Sequence, residues 1–192
     1  MQRQRIDLVS GDWDENRAFP KHKTTESPYR LSQAHLDFQE AVLDYCFGVV
    51  SRAGSGLRER RLAFWGTLAL MRCVGSSPAA ALSALRNRMS NESDRLEPQI
   101  YDEDSDDEDA VDIEPSTGFD TDPALLALVV RAEELVHKAD PKLMALIDAL
   151  TPLIKKGVNP VVFCRYLATA EHVRDGLRKA FPKLAVEAVT GV

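Results

Sequence analysis

Apolar residues recur at helical spacing along three stretches of the first half of the chain. From Ser32 onward, Leu36, Val42, Leu43, Cys46, Phe47 and Val50 return mostly at steps of three and four, which predicts a helix with one apolar face. Gly54-Ser55-Gly56 stops it. A second helix begins near Leu57, is expected to bury Leu62, Trp65, Leu68 and Ala69, and ends at Gly75. Ser77-Pro78 then reads as an N-cap followed by proline at the first helical position. The third helix, Pro78 to about Met89, ends in Arg86 and Arg88, cations suited to the negative end of its dipole.

Order returns at Asp122-Pro123, again a cap followed by proline. Leu125, Leu128, Val129, Leu135 and Val136 form the apolar side of a helix to about Lys138. Asp140-Pro141 repeats the signal, and Leu143, Leu146, Ile147, Leu150 and Ile154 line the next helix, which Lys155-Lys156-Gly157 closes. Thr151-Pro152 is a candidate kink. The period then changes. Pro160-Val-Val-Phe163 is a short continuous apolar run, the pattern of a buried parallel strand. An amphipathic helix follows from Ala168 to Phe181, with Val173, Leu177 and Phe181 inward, and Leu184-Ala-Val-Glu-Ala-Val189 reads as a second strand. Strand, helix and strand make one right-handed, parallel βαβ unit. A sheet of two strands leaves an open edge, so an incomplete lobe is expected.

Charge changes this picture. The formal net charge of the 192 residues is −6, yet residues 92–122 alone hold fourteen Asp/Glu and one Arg, a local net of −13. The remainder carries +7. A mildly basic body is therefore interrupted by an acidic tract, densest at Asp102–Asp109 with seven acids in eight positions. Self-repulsion and sparse apolar content predict a disordered linker there. A tract that binds a metal or a basic partner, or that competes with DNA phosphates for the basic body, is an alternative. A basic body is compatible with nucleic acid without requiring it. The 44% hydrophobic content permits a core, and no apolar run reaches the roughly 20 residues of a membrane span. The polar opening Met1-Gln-Arg-Gln-Arg5 shows no signal peptide, and Cys46, Cys73 and Cys164, far apart in apolar surroundings, fit a reducing cytoplasm.

Catalytic candidates are few. No phosphate loop, dinucleotide fingerprint, catalytic triad or carboxylate pair stands in the sequence, and Asp102-Glu103 lacks the apolar strand that an acidic magnesium box requires. His22, His35, His137 and His172 lack ligand spacing and read as exposed helix or loop positions. Cys164 reads as a buried thiol rather than a nucleophile, because no base is placed beside it. One edge keeps a possibility. Ligands of open parallel sheets bind at the carboxyl ends of strands, where a following helix offers backbone N–H groups to phosphate. Arg165, Tyr166 and Thr169 sit at this edge. On spacing alone the plainer reading, Arg165 a surface charge and Tyr166 packed against the helix, is preferred over contact with a nucleic-acid backbone.

Residues 142–191 carry a resemblance. Lys142-Leu-Met-Ala-Leu-Ile-Asp-Ala-Leu150, Lys155-Lys-Gly-Val-Asn-Pro-Val-Val-Phe-Cys-Arg-Tyr166, Thr169-Ala-Glu-His-Val-Arg-Asp-Gly-Leu177 and Val189-Thr-Gly191 stand in the order found at the opening of the second RecA-like lobe of Swi/Snf-type superfamily-two helicases, which this stretch resembles. Arg3-Gln-Arg-Ile-Asp7 resembles the stretch that closes the first lobe of that family. Phe19-Pro-Lys21 with Tyr29-Arg-Leu-Ser32 resembles its joining segment. Leu68-Ala-Leu-Met-Arg-Cys-Val-Gly-Ser-Ser-Pro-Ala-Ala80 is similar to the inter-lobe helices of bacterial members, notably the Swi/Snf-like helicases of the DISARM anti-phage system.

The resemblance implies an α/β fold, mostly α by residue count. It implies an irregular joining segment at 1–31, a helical inter-lobe region at 32–90, the linker at 91–122 and the start of a RecA-like C-terminal lobe at 123–192. It implies an ATP-driven DNA translocase as the complete parent, with ATP and magnesium as its cofactors and a first lobe missing or separately encoded. This chain lacks the phosphate loop, the acidic box and the late arginine motif, so no cofactor and no catalysis are expected of it alone. It reads as a fragment, a split gene product or a truncated frame. Arg165, Tyr166, Thr169, Thr190 and Gly191 are then the positions for nucleic-acid backbone contact or lobe coupling. The alternative is a non-enzymatic helical interaction protein whose acidic tract binds a partner. A small α/β ligand-binding enzyme is disfavoured by the absent glycine fingerprint.

Overall fold

A computed structural model describes residues 24–54, 56–89 and 122–190. The readings at the first-lobe motif, at the acidic tract before Asp122 and at Gly191 lie outside the described residues. Among the described residues there are six helices: α1 Gln33–Arg52, α2 Leu57–Ser76, α3 Pro78–Met89, α4 Pro123–Val136, α5 Pro141–Lys155 and α6 Leu167–Ala180. The described chain is thus mostly helical.

The helix boundaries follow local chemistry. Ser77 Oγ accepts from the Ala80 amide at 3.1 Å and opens α3. Asp122 and Asp140 cap α4 and α5 by accepting from the amides of Ala124 and Lys142, each at 2.9 Å, and proline follows each cap. Helix α5 continues through Pro152 to Lys155. Gly157 then takes a φ of +76°, while the Val158 amide returns to the Leu153 carbonyl and the Gly157 amide to that of Ile154. That paired closure demands a left-handed residue, which glycine adopts without a Cβ penalty.

Helices α1 to α4 enclose the main core. Phe38, Val42, Tyr45 and Cys46 of α1 meet Leu70 and Cys73 of α2, Ala80, Ala84 and Leu85 of α3, and Leu125, Leu128 and Ala132 of α4. The three alanines let α3 lie close to α2 and α4, which flank it. The apolar periodicity of the first two helices proves to be two faces, not one. Leu36, Leu43, Phe47 and Trp65, expected inside, are exposed, and the core positions are Phe38, Val42, Tyr45, Cys46 and Val49 on α1 and Ala63, Leu70, Cys73 and Val74 on α2. Arg88, expected as a dipole-complementing cation at the helix end, is 3% exposed. Its guanidinium lies 5.8 Å from the Tyr45 ring centroid and donates to the Gly66 carbonyl at 3.3 Å. Both partners sit on the inner sides of α1 and α2, so the side chain is drawn under the bundle.

Helices α5 and α6 pack on each other, and α6 rests on α3. A Cβ on Gly176 would fall against the Leu143 side chain, so glycine sets how closely α6 approaches α5. The expected strands are not formed: among the described residues, 158–165 and 181–190 contain no helix and no strand. A ladder needs paired backbones, and a parallel pair needs cover on both faces. Neither is present around these segments, and Val161, Phe163 and Val189 are 76%, 93% and 92% exposed. Residues 184–187 are instead tied to α6, where Arg178 donates to the Val186 carbonyl at 2.8 Å and to the Glu187 carboxylate at 2.7 Å.

Candidate functional site

The polar residues of the second half converge where α2 gives way to α3. The Thr169 hydroxyl, in the first turn of α6, lies 2.8 Å from both the Ser76 and the Ser77 hydroxyls. Lys142, in the first turn of α5, sends its ammonium to the carbonyls of Gly75 and Ser76 at 3.1 and 3.0 Å. These carbonyls close α2, so the cation also meets the negative end of that helix. Asp140 completes the arrangement. One carboxylate oxygen accepts from the Lys142 amide, and the other lies 3.0 Å from His172 Nε2 on α6. The sequence thus folds three helix ends, those of α2, α5 and α6, onto one seam.

Electrostatics follow from this packing. Burial alone would raise the Asp140 carboxyl, but the hydrogen bond from His172 and those from the Lys142 and Leu143 amides hold it below its usual value. Burial pushes the Cys164 thiol up, partly opposed by the nearby Lys142 ammonium. Burial pushes Cys46 up to about 11, with Arg88 opposing. A raised thiol yields less of the thiolate that a nucleophile needs. Among the described residues no group of three His, Cys, Asp or Glu side chains is placed to hold a metal. A small depression, partly open to solvent, lies against the seam and is lined by His35, Ser77, Asp140 and Lys142 among others. The seam joins helices; its polar groups are committed to one another.

The sequence-predicted positions separate on this scaffold. Arg165 is exposed, with its guanidinium 5.9 Å from the Tyr166 ring centroid. Tyr166 begins α6 and belongs to the core cluster, and Thr169 is buried with its hydroxyl in the seam. Thr190 is exposed at the far end of the second irregular segment. Arg165, Tyr166 and Thr169 therefore share one helix start, of which Arg165 is the solvent-facing member. His35 and His172, read as exposed, are buried or largely so, and His172 pairs with Asp140. Lys142, Asp140 and His172 were not singled out as a group. The Asp140-Pro141 cap was the available signal, but its second oxygen meets a residue thirty-two positions away.

No described helix is long and apolar enough to cross a membrane. Comparisons with protein-family models, curated proteins and solved structures returned no match.

Proposed function

We propose that this chain supplies part of a Swi/Snf-like DNA helicase or translocase: the helical inter-lobe region and the opening of the second, RecA-like motor lobe. The reading rests on the order of motifs over residues 142–191 and gains support from one structural observation. Two valine-bearing segments flank α6 with Val161, Phe163 and Val189 in solvent, although their sequence is that of buried parallel strands. Neighbouring strands of a complete lobe are what such segments pair with.

In that motor, ATP and magnesium occupy the interface of two lobes, and closure of the lobes advances the protein along a phosphate backbone. This chain has no phosphate loop or acidic box, so its contribution is positional. Arg165 offers an exposed cation to a backbone phosphate, Tyr166 and Thr169 anchor the helix beneath it, and Thr190, with Gly191 next in sequence, is assigned to backbone contact or lobe coupling. The proposed partners are DNA and a first lobe, missing from this sequence or separately encoded, in the cytoplasm, and the resemblance of residues 68–80 to DISARM helicases supports a parent that acts in phage defence.

A salt titration of fluorescent duplex DNA binding by the full chain tests this reading. Weak, sequence-independent binding is expected, with no ATP hydrolysis by the chain alone. Arg165→Ala should reduce the salt slope by about one phosphate contact. Absence of binding at low salt, or an Arg165→Ala slope equal to the parent's, contradicts it. The second reading, a non-enzymatic helical interaction protein with an acidic partner-binding tract, is favoured by the exposed apolar side chains on α1 and α2. It predicts no DNA binding at any salt.

A further inference from the structure

Helix α1 carries a second apolar stripe, and so does α2. Leu36, Leu43 and Phe47 recur at steps of seven and four and are all exposed. Phe64 is exposed and Leu68, one turn on along α2, is half-buried. Two contacts locate these stripes. The Cys46 thiol donates to the Thr67 carbonyl at 3.8 Å, which marks the flank of each helix that faces the other. Arg88 reaches the Gly66 carbonyl, which marks the opposite flank of α2 as the side of α3. At about 100° per residue, Leu43 and Phe47 lie roughly 130° around α1 from its core positions, past Cys46. Phe64 and Leu68 lie roughly 140° around α2, past Thr67. Both stripes therefore border the same outer groove of the α1–α2 hairpin.

Charge frames this groove asymmetrically. Beyond the apolar stripe, α1 carries Asp37, Glu40 and Asp44, and α2 carries Arg58, Arg61 and Arg72, all exposed. One rim is acidic and the other basic. A surface of this kind is complementary to itself. With a twofold axis parallel to the helices, two copies laid face to face set each α1 against the partner copy's α2. Acidic rim then meets basic rim on both sides, and the apolar stripes close between them. With the axis across the helices, acid meets acid and base meets base. The charges thus select one arrangement, an up-down-up-down four-helix bundle in which every neighbouring pair is antiparallel.

We propose that the outer face of the α1–α2 hairpin is a homodimer interface, occupied by the same face of a second copy of this chain. The occupant is argued from the charge: a second copy about an axis parallel to the helices matches both rims at once, acidic to basic on each side.

Sedimentation of the full chain across micromolar concentrations tests the proposal. A concentration-dependent dimer is expected. Phe47→Glu and Phe64→Glu should each yield monomers with unchanged helical circular dichroism, since both side chains are already in solvent. Reversing the acidic rim (Asp37→Lys, Glu40→Lys, Asp44→Lys) or the basic rim (Arg58→Glu, Arg61→Glu, Arg72→Glu) should weaken self-association by about tenfold or more. An equimolar mixture of the two reversed chains should regain the dimer, because both rims are then complementary again. A parent chain that stays monomeric overturns the proposal. So does a dimer indifferent to Phe47→Glu and Phe64→Glu, or a mixture no stronger than the reversed chains alone. Arg165 is on neither helix of the hairpin, so the dimer and the DNA-binding reading stand or fall separately.

Discussion

The four-helix core and the α5–α6 unit reach stability by different means. In α1 to α4, four amphipathic helices surround a common interior, and Val42, Ala80, Ala81, Leu85 and Ala132 have no exposed surface at all. In the α5–α6 unit, Leu150 and Leu177 are the buried apolar side chains within the helices, and half-buried residues such as Leu146 and Val173 make up the rest. What the second unit lacks in burial it replaces with directed polar contacts: Lys142 and Thr169 to the end of α2, and Asp140 to His172. Apolar burial is non-directional and holds the core, whereas the hydrogen bonds of the seam set where the second unit sits. The two irregular segments around α6 belong to the weaker unit, which is where opening costs least.

This contrast is breakable by substitution. The largest effect is expected in the core. Leu85→Ala removes a fully buried side chain and should cost about 3 kcal/mol, lowering the denaturation midpoint of the whole chain. A loss confined to α5–α6 would show that the two units are not organised as described. Thr169→Val should cost about 1 kcal/mol, because it strips both seam hydroxyls of their partner while preserving shape. Its effect should appear as faster amide exchange in α6, with the core amides unchanged. Equal acceleration in α1 would contradict a local role.

Acid provides the smallest and most selective probe. The folded Asp140 carboxyl is held below its unfolded value, so its contribution is complete above the ordinary carboxylate range and fades as pH falls through the folded value. The seam should therefore loosen in acid before the core does, read as α6 exchange against pH. Asp140→Asn should remove that step. A pH dependence that survives the substitution assigns it to another group.

Local signals were legible in the sequence, and long-range ones were not. Ser77-Pro78, Asp122-Pro123, Asp140-Pro141 and Gly157 marked helix ends correctly, because a cap is satisfied within a few residues of itself. The α1 pattern was harder. Its core and outer stripes interleave, so Leu43 beside Val42 and Phe47 beside Cys46 read as one face until neighbouring helices chose between them. Arg88 looked like a dipole-complementing surface cation, since nothing local reveals that Tyr45 and Gly66 would cover it. The strands at 160–163 and 184–189 rest on short apolar runs, but a strand exists only with a partner. The seam was invisible for the same reason: Thr169 and Ser76 are 93 positions apart.

Residue-resolved hydrogen exchange on the native chain tests the two-unit account most directly. The amides of α1 to α4 should exchange at the rate of global unfolding. Those of α6 should exchange earlier, through an opening that Thr169→Val accelerates. Those of Val161, Phe163 and Val189 should exchange almost without protection. Protection of the three equal to that of Leu85 would mean that these segments are paired in a sheet, and would contradict the account.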